Sequence, residues 1–170
     1  MKRFFVLMLA SALATSSLVA GPPATVVSNP NPLPLALDDA IQFRKTNIYL
    51  HDPKVEKQTL NEMINFERQR MNYGAILAAD RLARYGYYYT FYWRTKRPAN
   101  LTLRFEYRQE KLGAHVLAQE LSYNDVKGTV HSEFRVIGDD YADEGKVTAW
   151  RALLIENGKI VALNQSFLWD

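Results

Sequence analysis

The chain of 170 residues contains no cysteine. That excludes disulfide staples, thiol nucleophiles, Cys-ligated metals and lipid attachment at a lipobox cysteine. Histidine is scarce. The three, His51, His115 and His131, are scattered and fit no His-Glu-x-x-His metal pattern. No Gly-x-Ser-x-Gly elbow and no glycine-rich phosphate loop occurs. Ser132 stands between His131 and Glu133 on a predicted strand, so its side chain points away from both and no triad is read there. A glycosidase needs only two carboxylates, and a small hydrolase is carried as the third reading on that ground alone. No catalytic residue, metal site or cofactor is assigned.

Charge is also missing from the beginning. No charged residue occurs from Phe4 to Leu37. Lys2 and Arg3 precede an apolar run from Phe4 to Ala14, and small and polar residues follow to Ala20 and Gly21. That layout marks residues 1–20 as a secretory signal peptide cut after Ala20. The alternative is an uncleaved anchor, because Phe4 to Ala20 reaches the lower limit of a membrane span. Loss of Lys2 and Arg3 lowers the net charge from +3 to +1. The basic balance therefore belongs largely to the leader, and no nucleic-acid or other polyanion partner is implied. An exported chain without disulfides reads as a bacterial protein, periplasmic or extracellular. A membrane enters only through an uncleaved N-terminus.

Proline is concentrated rather than spread. Five of the seven prolines lie between Gly21 and Pro34, which predicts an extended tether over 21–36. Residues 37–170 then form one domain. Leu35 to Leu50 is ambiguous between a short helix and a short extended piece. Asp52-Pro53 is a helix entry, with Asp as N-cap and Pro at the first helical position. Leu60, Ile64, Met71, Ala75, Ala78 and Leu82 recur at helical spacing, widened by Met63 and Phe66. This predicts a helix over 53–84, breaking near Tyr73-Gly74, with its apolar stripe in the core; a partner-binding groove is the alternative for that stripe.

What is abundant is aromatic. Seven of the ten residues from Tyr85 to Arg94 are Tyr, Phe or Trp, on both parities of an extended chain, so this strand is apolar on both faces. Strands follow at about 87–94, 100–108, 114–123, 129–137, 146–155 and 159–169. Leu101, Leu103, Phe105 and Tyr107 alternate inward, and Glu156-Asn157-Gly158 closes a hairpin. Six or seven short antiparallel strands over 85–170 predict a mainly β fold, a sandwich with the long N-terminal helix packed on it. Asp143-Glu-Gly145-Lys-Val147-Thr-Ala149 resembles the Asp-x-Gly-x-Tyr-x-Cys entry to strand F of immunoglobulin-like domains, with Val147 and Ala149 at the Tyr and Cys positions. The resemblance implies an immunoglobulin-like sandwich and carries no function.

Two groups of residues are candidates for binding. Tyr88, Tyr92, Trp150 and Trp169 oppose the inward parity of their strands, where rings could stack on sugars. Arg94, Lys96 and Arg97 on one side, and Asp139, Asp140, Asp143 and Glu144 on the other, form two charged end-loops expected to pair at one end of the domain. The acidic loop offers oxygen ligands of the kind Ca²⁺ takes, without the spacing of an EF-hand. The functional expectation is an exported, non-catalytic binding or structural module of the cell envelope, with a protein or envelope component as partner. A glycan-binding module that takes a polysaccharide is the alternative.

Overall fold

The computed structural model describes residues 24–169 apart from Asn29 and Gln58. The signal-peptide and anchor expectations for residues 1–20 lie outside the described residues. The aromatic stretch opens a single strand of 24 residues, β3 (Gly86–Gln109), which absorbs two predicted strands and the turn between them. Strand β4 (Leu117–Ile137) absorbs the next two in the same way and pairs with β3 antiparallel. Both strands bend at one place. Their register shifts between Thr95 and Ala99 and again between Ala99 and Leu101. Pro98 has no N–H for the ladder there, and opposite it Gly128 and Asp125 hold φ of 95° and 49°. Irregularities of this kind bend and twist a strand pair.

The remaining strands pair around this bent ribbon. Strand β1 (Thr25–Ser28) adds to β4. Strand β2 (Ile41–His51) pairs with residues 86–95 of β3, and β5 (Val147–Glu156) with residues 102–109. Strand β6 (Lys159–Gln165) returns from β5 through Asn157-Gly158, both at positive φ, as the Asn-Gly signal predicts. The result is mainly β, 54% strand against 19% helix, in one antiparallel sheet of six strands. The strands do not divide into two sheets of immunoglobulin-like order. One sheet folds over on itself instead.

The core lies between its two halves. Tyr89, Phe91 and Trp93 face Leu101, Leu103 and Phe105 from the far arm of the same strand, all buried. The rings of Tyr89 and Phe105 are 4.6 Å apart, whereas a straight strand would separate their positions by about 50 Å. Phe134 on β4 closes against Phe105 at 5.3 Å. Inside, the Trp93 indole N–H donates to Ser132 Oγ at 2.9 Å, so the one polar atom of that ring is satisfied.

The long helix over 53–84 is not formed. Residues 53–55 make a turn, and Asp52 receives Lys54 N–H and the Tyr141 hydroxyl on its carboxylate instead of capping a helix. Helix α1 (Glu62–Met71) is capped by Asn61, whose side chain accepts from the N–H groups of Met63 and Ile64. It ends at Asn72 and Gly74, where φ is 81°, so the expected break near Tyr73-Gly74 is present. Helix α2 (Ala78–Leu82) is a single short stretch, and α3 (Asp139–Glu144) follows β4. No residue of the three helices is buried. The folded sheet fills its own core, and the helical stripe has no cavity to enter.

The Pro-rich stretch also departs from a free tether. Beyond β1, the Pro34 carbonyl accepts from Ile160 N–H, and Ala36 and Asp38 N–H donate to the Ile160 and Val161 carbonyls. Leu33 packs on Leu153, Ile155 and Ile160. The segment thus lies along β6 and covers part of the outward side of the β5–β6 hairpin.

Candidate functional site

The register fixes which residues share the outer face of the β2–β3–β4 half. Tyr49, Tyr88 and Arg135 form one row across it, Asn47, Thr90 and Glu133 the next, and Lys45, Tyr92 and His131 the third. Helix α1 lies over the first rows. Between helix and sheet is a groove of 380 Å³, floored by Tyr49, Tyr88 and Thr90 and roofed by Met63, Ile64 and Met71. That volume falls in the range of small-molecule sites. The charges at its rim are already paired. Glu67 meets Arg70 at 2.8 Å, and Glu133 meets Arg135 at 3.0 Å. The Tyr88 hydroxyl donates to the Arg84 carbonyl at 2.8 Å, and burial raises its pKa, as it does that of Tyr49. Both phenols stay neutral and present ring faces, not charge.

The segment over this face is fastened at one end by a buried ring. His51 is 1% exposed. Its Nδ1 lies 2.7 Å from Glu56 Oε1 and its Nε2 lies 3.3 Å from Asn72 Oδ1. Glu56 Oε2 meets Arg68 of α1 at 3.0 Å. The Arg84 guanidinium donates to the carbonyls of Met71 and Tyr73 and ties down the end of α1.

The structure brings two of the four aromatic candidates together and separates the others. Tyr88 and Tyr92 share the outer face, with the Tyr92 ring 6.1 Å from that of His131. Trp150 turns into the core against Phe91 at 5.5 Å and Tyr89 at 5.9 Å. Its parity opposes that of Val147, Ala149 and Leu153, which predicts it outward. Strand β5 is covered on both faces, and Leu153 belongs to the side lined by Leu33. Trp169 is buried on the opposite side of β5 from Trp150, beneath the guanidinium groups of Arg108 and Arg151, at 4.6 and 4.7 Å from its centroid. Neither tryptophan offers a free ring. Tyr49, Met63 and Ile64 join Tyr88 at this groove. Tyr49 lies on β2, in the stretch the sequence leaves open between helix and extended chain, and Met63 and Ile64 belong to the helical stripe whose first reading is core.

The charged end-loops do not meet. Arg94, Lys96 and Arg97 sit at the bend of β3. Asp139, Asp140, Asp143 and Glu144 form α3 at the opposite end, where Gln109 donates to the Asp140 carbonyl and Lys111 to that of Asp143. Arg94 and Lys96 point outward. Arg97 instead bridges the approach to β2 and the end of β5, with Glu156 at 2.5 Å and Asp38 at 2.8 Å. Among the described residues no group of three acidic or histidine side chains is arranged to hold a metal ion.

The Arg97 clamp has a pH signature. The Ala40 N–H and then Arg97 hold the Asp38 carboxyl below its ordinary value, and Arg97 does the same for Glu156. Both groups bind protons more weakly in the folded chain. Their contribution is present above the ordinary carboxylate range and is lost as pH falls through the lowered folded values. Thermal unfolding followed from about pH 6 to about pH 2 should show a shallower acid limb in Arg97→Ala than in the wild type. Superimposable limbs would mean that the clamp contributes nothing.

No family model, no curated protein and no solved structure matches this chain.

Proposed function

We propose that the protein is an exported, non-catalytic binding module of the bacterial cell envelope, which engages a protein or envelope component through the segment over the outer face. The observation that carries this reading is the exposed apolar side chains of the segment that the sequence reads as a helix. Leu60, Met63, Phe66 and Leu82 of its stripe, and Tyr73, Ile76 and Leu77 beside them, are all exposed, Leu60 at 99%. Exposed apolar side chains gathered on one segment mark interaction sites. The export part of the reading rests on the composition of residues 1–20 alone.

The test is capture from envelope extract by residues 21–170, beside a Phe66→Glu/Leu77→Glu variant. Both positions are exposed, so the variant should unfold at the wild-type temperature and lose its partner by tenfold or more, as expected for apolar anchors. Equal retention by both proteins would refute the assignment of this surface.

A second reading is kept because Tyr88 and Tyr92 share the outer face with Asn47, Thr90 and Glu133, a mixture of rings and polar groups suited to sugars. Retention on a polysaccharide that Tyr92→Ala abolishes, with folding intact, would favour the glycan module over the first reading.

A further inference from the structure

The His51 site is satisfied by only one protonation state of its ring. Both nitrogens face oxygen: Nδ1 faces the Glu56 carboxylate and Nε2 faces Asn72 Oδ1. The Asn72 amide is not free to turn, because its Nδ2 donates to the Arg68 carbonyl at 3.2 Å, and reversal would set two oxygens against each other. A ring with two N–H groups fills both bonds, while a neutral ring fills one and opposes a lone pair to an oxygen. We propose that His51 is a proton-operated latch, which in its imidazolium form fastens the segment 52–72 to the sheet and in its neutral form lets that segment loosen.

The surrounding charges are consistent with a cation there. Glu56 lies between the ring and Arg68, with Oε1 facing Nδ1 at 2.7 Å and Oε2 in an ion pair with Arg68 at 3.0 Å. Arg68 opposes a second positive charge, but its guanidinium is turned to the far oxygen of the carboxylate. Asp52, next in the chain, is engaged by Lys54 N–H and by the Tyr141 hydroxyl of α3. Tyr49 lies parallel to the ring at 6.3 Å and Tyr85 edge-on at 5.2 Å, so two of its neighbours are aromatic. When the proton leaves to solvent, the bond to Asn72 goes first, and Asn72 is where α1 ends. The inference stands on this geometry and not on what the segment binds.

Imidazole ¹⁵N spectra and amide-exchange protection factors for residues 62–72 test it, at about pH 5.5 and about pH 8, on either side of the ordinary histidine range. At the lower pH both His51 nitrogens should be protonated. At the higher pH the protection of 62–72 should fall about tenfold, the share of one charge-assisted hydrogen bond. His51→Gln should remove the pH dependence. Glu56→Gln, which removes the anion that Nδ1 faces, should bring the loss of protection to lower pH. A ring that is neutral at pH 5.5, a fall of equal size in His51→Gln, or a midpoint that Glu56→Gln leaves in place would each overturn the latch.

Discussion

Phe105→Ala should lower stability by about 3–5 kcal/mol, the range for removing a large ring from a close-packed site. The ring is fully buried. It belongs to the far arm of β3, yet it touches Tyr89, Phe91 and Phe134 of the near half at 4.6, 5.6 and 5.3 Å. Its removal therefore leaves a hole at the seam on which the sheet folds over. The chain has no cysteine to hold the halves together by other means. Against a total of about 5–15 kcal/mol for a domain, this loss leaves little in reserve. Phe105→Leu keeps most of the volume and should cost well under half as much. Urea unfolding followed by tryptophan fluorescence measures both, since Trp93 and Trp150 lie at the same seam. A Phe105→Ala midpoint close to the wild type would show that the two halves do not depend on this packing.

The alternation over 100–108 was legible because the strand there is regular. Leu101, Leu103, Phe105 and Tyr107 are all buried, as their parity predicts. The hairpin at Asn157-Gly158 was legible because positive φ at two successive positions demands that chemistry. Strand β2 was hidden by its own bulge. Ile41 and Phe43 share the face of Trp93, but after the irregularity at Arg44 it is Thr46, Ile48 and Leu50 that pair opposite Phe91, Tyr89 and Tyr87. One inserted residue switches the parity, and a period of two no longer runs through the segment. The bend at 95–100 was seen as a turn because proline and polar residues mark both. What they cannot encode locally is that pairing resumes with the same partner strand.

The helical stripe failed for a different reason. Periodicity states which residues could be buried together and leaves open what would cover them. In this fold the cover is taken by the second half of the sheet. Met63 and Ile64 are left over the groove and Leu60, Phe66 and Ile76 at the surface. Tyr88 and Tyr92 share the outer face, as their parity predicts, because β3 alternates faithfully there. Trp150 turns inward because β5 is apolar on both faces, so parity alone does not say which side is inward, and Trp169 lies past the end of β6 in a 3-10 turn, Phe167–Trp169, where strand parity no longer applies.

The outer face of the other half carries the second large effect. Glu106 is 1% exposed and lies directly across from Arg151, whose Nε donates to it at 2.6 Å. Arg104 approaches its other oxygen at 3.7 Å and donates to Glu120 at 2.5 Å. Charges thus alternate Arg151, Glu106, Arg104, Glu120 across three strands. Glu106→Ala removes the central anion and leaves Arg151 without its carboxylate beside a buried Trp169, while Arg104 keeps Glu120. Removing one partner of a buried pair costs about 3–5 kcal/mol, much of it the unpaired charge that remains. Arg151 is a third exposed and recovers some hydration, so about 3 kcal/mol is expected. The double variant Glu106→Leu/Arg151→Met should recover most of that loss, because well-packed apolar groups often replace a buried pair at little cost. The cycle of Glu106→Leu, Arg151→Met and the double variant isolates the coupling. If Glu106→Ala unfolds within about 1 kcal/mol of the wild type, then the carboxylate is solvated in solution and the alternating charges act as an ordinary surface row. If the loss is large and the double variant restores it, the ladder fixes the alignment of β5, β3 and β4 rather than supplying their stability, which comes from the aromatic seam on the other side of the same strands.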